Sequence, residues 1–149
     1  MKYFLGVDPG ANGAAVIIDS AGDFLFTQIL FYKSTEGEIA EWFLNHAAKK
    51  CSRAMLEKVS AMPKQGVSST FKFGQNYGFL RGCLMCSKIP FDDSSPQRWQ
   101  KAMGCMTAGD KNVTKAKAQQ LFPRDRITHA NADALLIAEY CRRLHLGMI

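Results

Sequence analysis

The segment Tyr3-Phe4-Leu5-Gly6-Val7-Asp8-Pro9-Gly10 lies near the start of the chain and decides how the rest must fold. Its short apolar run contains aromatic and β-branched residues and predicts a strand from Tyr3 to Val7. Asp8-Pro9-Gly10 then has proline and glycine in the order that a type II turn prefers. An acid at this junction is costly to bury unless it is paired or binds a cation, so Asp8 is a candidate functional residue.

The sequence after this turn predicts two more strands, which form an antiparallel meander with the first. Ala14 to Ile18 and Phe24 to Leu30 have strand composition, and Ser20-Ala21-Gly22-Asp23 between them is typical of a hairpin turn. Connections this short join antiparallel neighbours.

The remaining sequence alternates between helical and strand patterns. Thr35 and Glu38 fit a capping box, and the apolar spacing that follows predicts His46 as a packed histidine on a helix rather than a metal ligand. The predicted elements are, in order, a helix from Thr35 to about Lys50, a strand from Arg53 to Val59, a loop from Ser60 to Lys72, a helix from Gly74 to Ser87, a strand from Lys88 to Phe91, a helix opened by Ser95-Pro96, a helix from Thr114 to Leu121 and a last helix from Ala132 to Leu144. The buried residues expected in the last helix are Leu135, Leu136, Cys141 and Leu144.

This order of elements predicts a single α/β domain over residues 1–149. The fourth strand follows a helix, so it can lie parallel to the first strand through a right-handed crossover. We therefore expect a five-stranded mixed sheet, with three antiparallel strands followed by parallel strands, flanked by helices.

The composition is that of a globular protein with concentrated positive charge. The apolar fraction is 47%, and no apolar run approaches the roughly 18 residues that would span a bilayer. The start of the chain also lacks a signal-peptide pattern, so a cytoplasmic protein without membrane contact is expected. Of the net charge of +6, the stretch from Arg98 to Arg126 contributes seven basic and two acidic residues. Such a stretch is either a phosphate-binding surface or a solubilising one.

The five cysteines do not indicate a metal or redox centre. Cys83 and Cys86 form a CxxC, but no second pair of Cys or His residues stands at zinc spacing. Two core thiols on a helix are the favoured interpretation.

Two further acids lie at the ends of predicted elements. Glu57 stands near the end of the fourth strand, and Asp133 lies in the first turn of the last helix. Any one of the acids alone fits a structural role: Asp8 as a turn former, Glu57 as a partner of Lys58, Asp133 as a helix-start residue. Together they predict an oxygen-rich site for Mg²⁺ or Mn²⁺, and two such ions can cleave a phosphodiester. With the basic surface, this predicts a metal-dependent nuclease.

Four motifs resemble the RuvC family of Holliday-junction resolvases, especially its bacteriophage-type members. They are Gly6-Val7-Asp8-Pro9-Gly10, Leu56-Glu57-Lys58, Phe73-Gly74-Gln75-Asn76-Tyr77-Gly78 and Ala132-Asp133-Ala134-Leu135-Leu136-Ile137-Ala138. The resemblance implies an RNase H-like fold, a homodimer, a role in DNA recombination or repair, and two symmetric metal-dependent nicks in branched DNA. It also implies catalytic, metal-binding acids at Asp8, Glu57 and Asp133, with two Mg²⁺ or Mn²⁺ ions in each site.

The sequence departs from this family just before the last motif. The family usually offers a fourth ligand one turn before the last aspartate, where this chain has His129 and Ala130. The resemblance implies His129 as a site residue, because neutral imidazole binds Mn²⁺ or transfers protons. Asn131 is expected to be the N-cap of the last helix rather than a ligand.

The resemblance also implies how DNA would be held. Lys115 is expected to supply charge at the reacting phosphate. The loop from Ser60 to Lys72 is expected to probe the junction, while Phe73 is expected in the core. The glycines at 74, 78 and 82 could admit a partner helix in a dimer. The residues expected to contact DNA are Lys58, Met62, Lys64, Phe71, Lys72, Arg98, Lys101, Lys111 and Lys117.

Two other functions stay open from the sequence. One is a nuclease with the same fold that acts on flaps, replication forks, Y-junctions or RNA junctions. The other is a branched-DNA-binding protein with a weak or inactive site. A sugar-kinase or actin-like ATPase shares the first motif but needs about twice this length.

Overall fold

The computed structural model describes residues 1–23 and 25–149, and in this part of the chain five strands and five α-helices are formed. The strands are β1 Tyr3–Asp8, β2 Ala14–Asp19, β3 Leu25–Leu30, β4 Cys51–Glu57 and β5 Phe91–Ser94. The helices are α1 Glu36–Trp42, α2 Val67–Cys86, α3 Pro96–Ala102, α4 Lys111–Leu121 and α5 Ala132–His145. A short 3-10 helix covers Phe31–Lys33, and a π-helical turn covers Phe43–Ala47.

The strands form one mixed sheet in the order β3-β2-β1-β4-β5. β1, β2 and β3 pair antiparallel, whereas β4 pairs parallel with β1 and β5 parallel with β4. This confirms the predicted meander and the predicted parallel pairing of the fourth strand with the first. The predicted start of the third strand at Phe24 lies outside the described residues.

The register brings two predicted acids to one end of the sheet. Val7 pairs with Leu56, so Asp8 and Glu57 end neighbouring parallel strands. Side chains alternate between the two faces along a strand. Phe4 and Met55 belong to the core cluster under α5. Asp8 stands an even number of residues from Phe4 on β1, and Glu57 an even number from Met55 on β4, so both acids are aimed toward that same face.

Helices cover both faces of the sheet and form two core clusters. One cluster joins the sheet to α3, α4 and α5 through residues such as Trp99, Phe122 and Leu135. The other joins it to α1 and α2 through residues such as Trp42 and Leu84. A sheet buried on both faces explains why β1 and β2 are almost continuously apolar.

Gly6 lets α5 lie directly on β1. A Cβ atom at Gly6 would stand 2.2 Å from the Ala134 carbonyl oxygen and 2.4 Å from the Ala138 nitrogen. Only a residue without a side chain permits this approach. The close packing brings the start of α5, and with it Asp133, toward the end of β1.

Several predicted boundaries are wrong. The second helix begins at Val67, so Phe71 and Lys72 lie on a helix and not on a loop. The fourth strand ends at Glu57 rather than Val59. The fifth strand begins at Phe91 because Lys88, with a φ of 56°, still belongs to the turn after α2.

Three predictions of burial are also wrong. His46 lies in the π-helical turn and is exposed, although its ring centroid stands 6.1 Å from that of the buried Trp42. Leu144 is exposed near the end of α5, and Cys86 of the CxxC is exposed while Cys83 is buried. The predicted caps are confirmed: Thr35 forms the capping box with Glu38, and Ser95 caps α3.

No helix in the described residues combines the length and apolar character that crossing a membrane requires.

Candidate active site

Asp8 is held by the turn that follows β1. Its Oδ1 accepts a hydrogen bond of 3.2 Å from the Gly10 N–H, and the Gly13 N–H donates to the Gly10 carbonyl at 2.9 Å. A Cβ atom at Gly13 would stand 2.1 Å from the Asp8 carbonyl oxygen, so the turn closes tightly around the acid. These contacts fix a carboxylate at the end of a buried strand.

Glu57 is held by elements on the other side of β4. Its Oε2 accepts a hydrogen bond of 2.8 Å from the indole N–H of Trp99 on α3. Glu57 pairs with Ser94 at the end of β5, and the Lys58 N–H donates to the Ser94 carbonyl at 2.7 Å. The backbone is therefore paired on both sides of the acid.

The three acids interact electrostatically. The pKa of Asp8 is raised to about 6, first by burial and then by the charge of Asp133, against the Gly10 hydrogen bond and the charge of Lys111, which lower it. The pKa of Glu57 is raised to about 7 by burial first, then by the charge of Asp8 and to a smaller extent by that of Asp133, against the Trp99 hydrogen bond, which lowers it. Asp8 thus lies within electrostatic range of Asp133, and Glu57 within range of both, so ionising these acids together is unfavourable.

These acids suit a divalent cation by donor type. Carboxylate oxygens are the preferred ligands of Mg²⁺ and Mn²⁺, and a cation would relieve both the burial of these charges and the repulsion between them, which together raise the two pKa values. Among the described residues no three His, Cys, Asp or Glu side chains are already grouped as a metal-holding set. The acids are thus within electrostatic range of one another without forming a ready-made ligand set in the described residues.

A large cleft opens beside Asp8 and Asp133. Its volume is about 1010 Å³. In the described part of the chain Glu57 is not among its lining residues, although its carboxylate senses both other acids. The lining comes from the β1–β2 turn, the end of β3, α2, α4 and the segment before α5, and includes Asn12, Gln28, Tyr32, Lys33, Phe73, Lys111, Thr114, Arg126, His129 and Asp133. Three cations, Lys33, Lys111 and Arg126, therefore stand around the acids.

The segment before α5 places His129 in this lining and buries Asn131. His129 is exposed to the cleft. Asn131 occupies the N-cap position as predicted, but its side chain makes no capping bond. Its oxygen accepts from the Thr128 N–H at 2.9 Å, and its amide donates to Gln28 Oε1 at 3.0 Å and the Arg126 carbonyl at 3.1 Å. Asn131 thus fastens the His129 segment to β3.

The predicted basic residues fall into two groups. Lys111 lines the cleft and lowers the pKa of Asp8 by its charge, whereas Lys115, one turn further along α4, is not part of the described lining. Lys111 is therefore better placed than Lys115 to meet a phosphate beside the acids. The other basic residues predicted to contact DNA lie outside the described lining of the cleft; they are Lys58, Lys64, Lys72, Arg98, Lys101 and Lys117. Lys117 is half-buried and the other five are exposed.

The apolar residues predicted to probe a junction are solvent-exposed. Met62 is 65% and Phe71 72% exposed. Phe73, expected in the core, is instead exposed on α2 and lines the cleft. This prediction is wrong because α2 begins at Val67, six residues before Phe73, rather than after it.

The residues of the candidate site that the sequence analysis did not name include Trp99, Tyr32, Lys33 and Gln28. Each comes from a segment without a motif, and only the fold brings it to the acids. Arg126 was counted in the basic stretch, but nothing in its local sequence sets it apart from Arg124.

Comparison with known proteins identifies the fold. No family model matches the chain, and no curated protein matches it. Among solved structures it is similar to Thermus thermophilus RuvC, with 16% identity and a TM-score of 0.73 over 97% of this chain and 96% of that one. It is also similar to T. thermophilus RuvC in complex with a Holliday junction substrate, with 14% identity and a TM-score of 0.68 over 99% of this chain and 97% of that one. The chain has the RNase H-like fold of RuvC, as predicted.

Proposed function

We propose that this protein is a divalent-metal-dependent DNA endonuclease that resolves four-way junctions by paired nicks. The observation that carries the proposal is the placement of Asp8 and Glu57 at the ends of neighbouring strands, within electrostatic range of Asp133, beside a cleft that three cations line. An acidic centre inside a basic rim suits a metal ion at the centre and a polyanion around it. The fold shared with a protein solved on a Holliday junction points to DNA as that polyanion.

The chain's own residues divide the work of the reaction. Asp8, Glu57, Asp133 and His129 would hold two Mg²⁺ or Mn²⁺ ions. When bound, such ions activate a water and stabilise the leaving oxygen of a phosphodiester. Lys111 and Arg126 attract the phosphate and balance its charge, and the exposed imidazole of His129 stands where a proton can be exchanged with the cleft.

Branch recognition is assigned to the exposed start of α2 and the loop before it. Met62, Phe71 and Phe73 present apolar surface next to Lys64 and Lys72. Apolar and aromatic side chains stack on or wedge against unpaired bases, while lysines hold the backbone. This combination favours DNA whose bases are unstacked at a branch over continuous duplex.

A homodimer would supply the second cut. The glycines of α2 at 74, 78 and 82 have open space where a Cβ would stand, and Leu44 and Met85 nearby are exposed. A second α2 could approach closely there. A symmetric dimer would present two sites to a four-way junction, which is itself symmetric.

A gel assay on four-way, Y-shaped and linear duplex DNA tests the proposal. The purified protein is expected to cut the four-way junction with Mg²⁺ or Mn²⁺ and to bind it without cutting in a chelator. Undiminished cutting in excess chelator contradicts the metal mechanism. Equal cutting of Y-shaped DNA identifies a broader branch nuclease, and binding without cutting in any metal identifies a passive binder.

A further inference from the structure

We propose that Trp99 is a positioning residue that holds the Glu57 carboxylate in place for cation binding; this rests on the proposed metal-dependent function. The indole N–H donates to Glu57 Oε2 at 2.8 Å. This bond engages Oε2 and leaves Oε1 outside it. One carboxylate oxygen is thus fixed by the protein and the other is left for a ligand.

The donor is held more firmly than the acceptor. Trp99 is completely buried, in a cluster with Met55 and Met103 under α5. Its helix α3 starts one residue after β5, where the Ser95 hydroxyl accepts a hydrogen bond of 3.2 Å from the Arg98 N–H. Because the buried indole has no room to move, the position of the indole fixes the position of the carboxylate that is hydrogen-bonded to it.

Such a restraint is needed because the other acids repel Glu57. Asp8 and Asp133 are close enough to raise its pKa, and a carboxylate at the end of a strand can turn toward solvent to escape them. An indole offers a single N–H and accepts nothing, so it can only hold the carboxylate. Groups that orient metal ligands in this way change metal affinity by ~10–100-fold when they are removed.

The second tryptophan shows that pairing with a carboxylate is not a general need of buried indoles in this fold. Trp42 is also buried, in the cluster on the opposite face of the sheet. Within the described residues its indole nitrogen has no hydrogen-bond partner. Trp42→Phe therefore removes the same atoms as Trp99→Phe without touching the acids, which makes it the matched control.

Metal binding without DNA tests the proposal by calorimetry. Trp99→Phe is expected to weaken Mn²⁺ binding by ~10–100-fold, whereas Trp42→Phe leaves the Mn²⁺ affinity of the wild type. Binding of a four-way junction in chelator should be the same in all three proteins. Unchanged Mn²⁺ affinity in Trp99→Phe, or equal losses in both variants, overturns the proposal.

The wild-type protein provides a second readout that does not require Trp99→Phe to fold. With two tryptophans, its ¹H–¹⁵N spectrum contains two indole N–H signals, which Trp42→Phe assigns. Glu57→Ala and, separately, added Mg²⁺ are each expected to move the Trp99 signal and leave the Trp42 signal in place. A Trp99 signal that responds to neither overturns the proposal.

The two readouts also separate this proposal from the proposed function. A protein whose Trp99 signal responds to Mg²⁺ but which cuts no junction keeps the positioning role and contradicts the nuclease. A protein that cuts the junction normally, but whose Trp99 signal does not respond, keeps the nuclease function and overturns the positioning role.

Discussion

Asp8 occupies a position that folding alone does not favour. Its carboxylate ends an apolar strand, faces another acid and has a raised pKa, so its ionised form is poorly stabilised by the protein. Asn at this position would satisfy the Gly10 N–H equally well without the charge. A charge kept where it is unfavourable indicates a functional site.

Asp8→Asn is expected to abolish junction cutting and to leave junction binding intact. Removal of a group that merely supports a metal ligand costs ~10–100-fold, so loss of a ligand should cost more. Single-turnover cleavage and a gel-shift assay in chelator measure the two effects. A purified variant that cuts at the wild-type rate contradicts the assignment of Asp8.

The metal-free protein is expected to lose stability as pH rises from about 4 to about 7. Asp8 and Glu57 have folded pKa values of about 6 and about 7, above their ordinary values of 3.8 and 4.5. Between these values the folded state binds more protons than the unfolded state, so the free energy of unfolding falls with pH and the loss is complete above about 7.

Each pH unit by which the folded-state pKa exceeds the unfolded-state pKa corresponds to a loss of about 1.4 kcal/mol in the free energy of unfolding. Urea unfolding in chelator at pH 5 and pH 8 measures the loss, and Asp8→Asn should reduce it. Mg²⁺ should restore stability at pH 8, where the acids are ionised. A free energy of unfolding that rises over this range contradicts the arrangement of the acids.

Lys111 and Lys115 give a matched pair one turn apart on α4. Lys111 lines the cleft and acts on Asp8, whereas Lys115 does not line it. Lys111→Ala is therefore expected to slow single-turnover cleavage by ~10-fold or more, because a charge at the reacting phosphate is lost. Lys115→Ala should have a smaller effect, and a larger effect from Lys115→Ala would restore the assignment made from sequence.

At the scale of elements, the contact of α5 with β1 builds the site. The strand supplies Asp8, the helix supplies Asp133, and Gly6 sets the distance between them. The sequence predicted both elements from the apolar run and the first-turn acid. It did not predict the closeness of their contact, because that depends on the absence of a Cβ atom against the carbonyl of Ala134.

Gly6→Ala is expected to destabilise the fold and the site together. The added methyl would meet backbone atoms of α5, and overpacking of this kind costs ~1–3 kcal/mol or more. Gly37→Ala, on exposed α1, is the control and should be neutral or stabilising by up to ~1 kcal/mol. Thermal unfolding measures both, and a Gly6→Ala protein as stable as wild type contradicts the close contact.

The element that the sequence predicted least well is α2. Ser68, Ser69 and Thr70 have modest helix propensity, and glycines recur further along, so the local signal favoured a loop. The segment is helical because of tertiary contacts further along the same helix. Leu80 and Leu84 are fully buried against the sheet, and the exposed first turns continue the helix that these two residues anchor. Asn76 also donates to the Pro9 carbonyl, which ties α2 to the turn beside Asp8.

At the scale of the whole molecule, the acids were predictable and the cleft was not. Asp8, Glu57 and Asp133 each stand out locally, as a charge beside an apolar run. Tyr32 with Lys33, Phe73, and Arg126 reach the cleft from three separate segments and have no common pattern. Such a lining is a property of the folded chain, in which residues distant in sequence meet.

Paired cutting is a property of two chains and gives the last prediction. A supercoiled plasmid with an extruded cruciform becomes linear when both strands are cut in one encounter, and becomes a nicked circle when one strand is cut. The proposed homodimer is expected to yield mainly the linear product. Gly78→Glu places a charge on the α2 face that is open in the structure, so it should yield monomers and nicked circles.

Gly37→Glu is the matched control, because it adds the same charge to an exposed helix start, where an acid is tolerated. Light scattering of the three proteins gives their oligomeric states, and the plasmid assay gives the ratio of linear to nicked product. A dimeric Gly78→Glu protein that still makes the linear form removes the α2 face from the interface. A wild-type monomer that makes only nicked circles contradicts the homodimer, because a single site cannot cut two strands in one encounter.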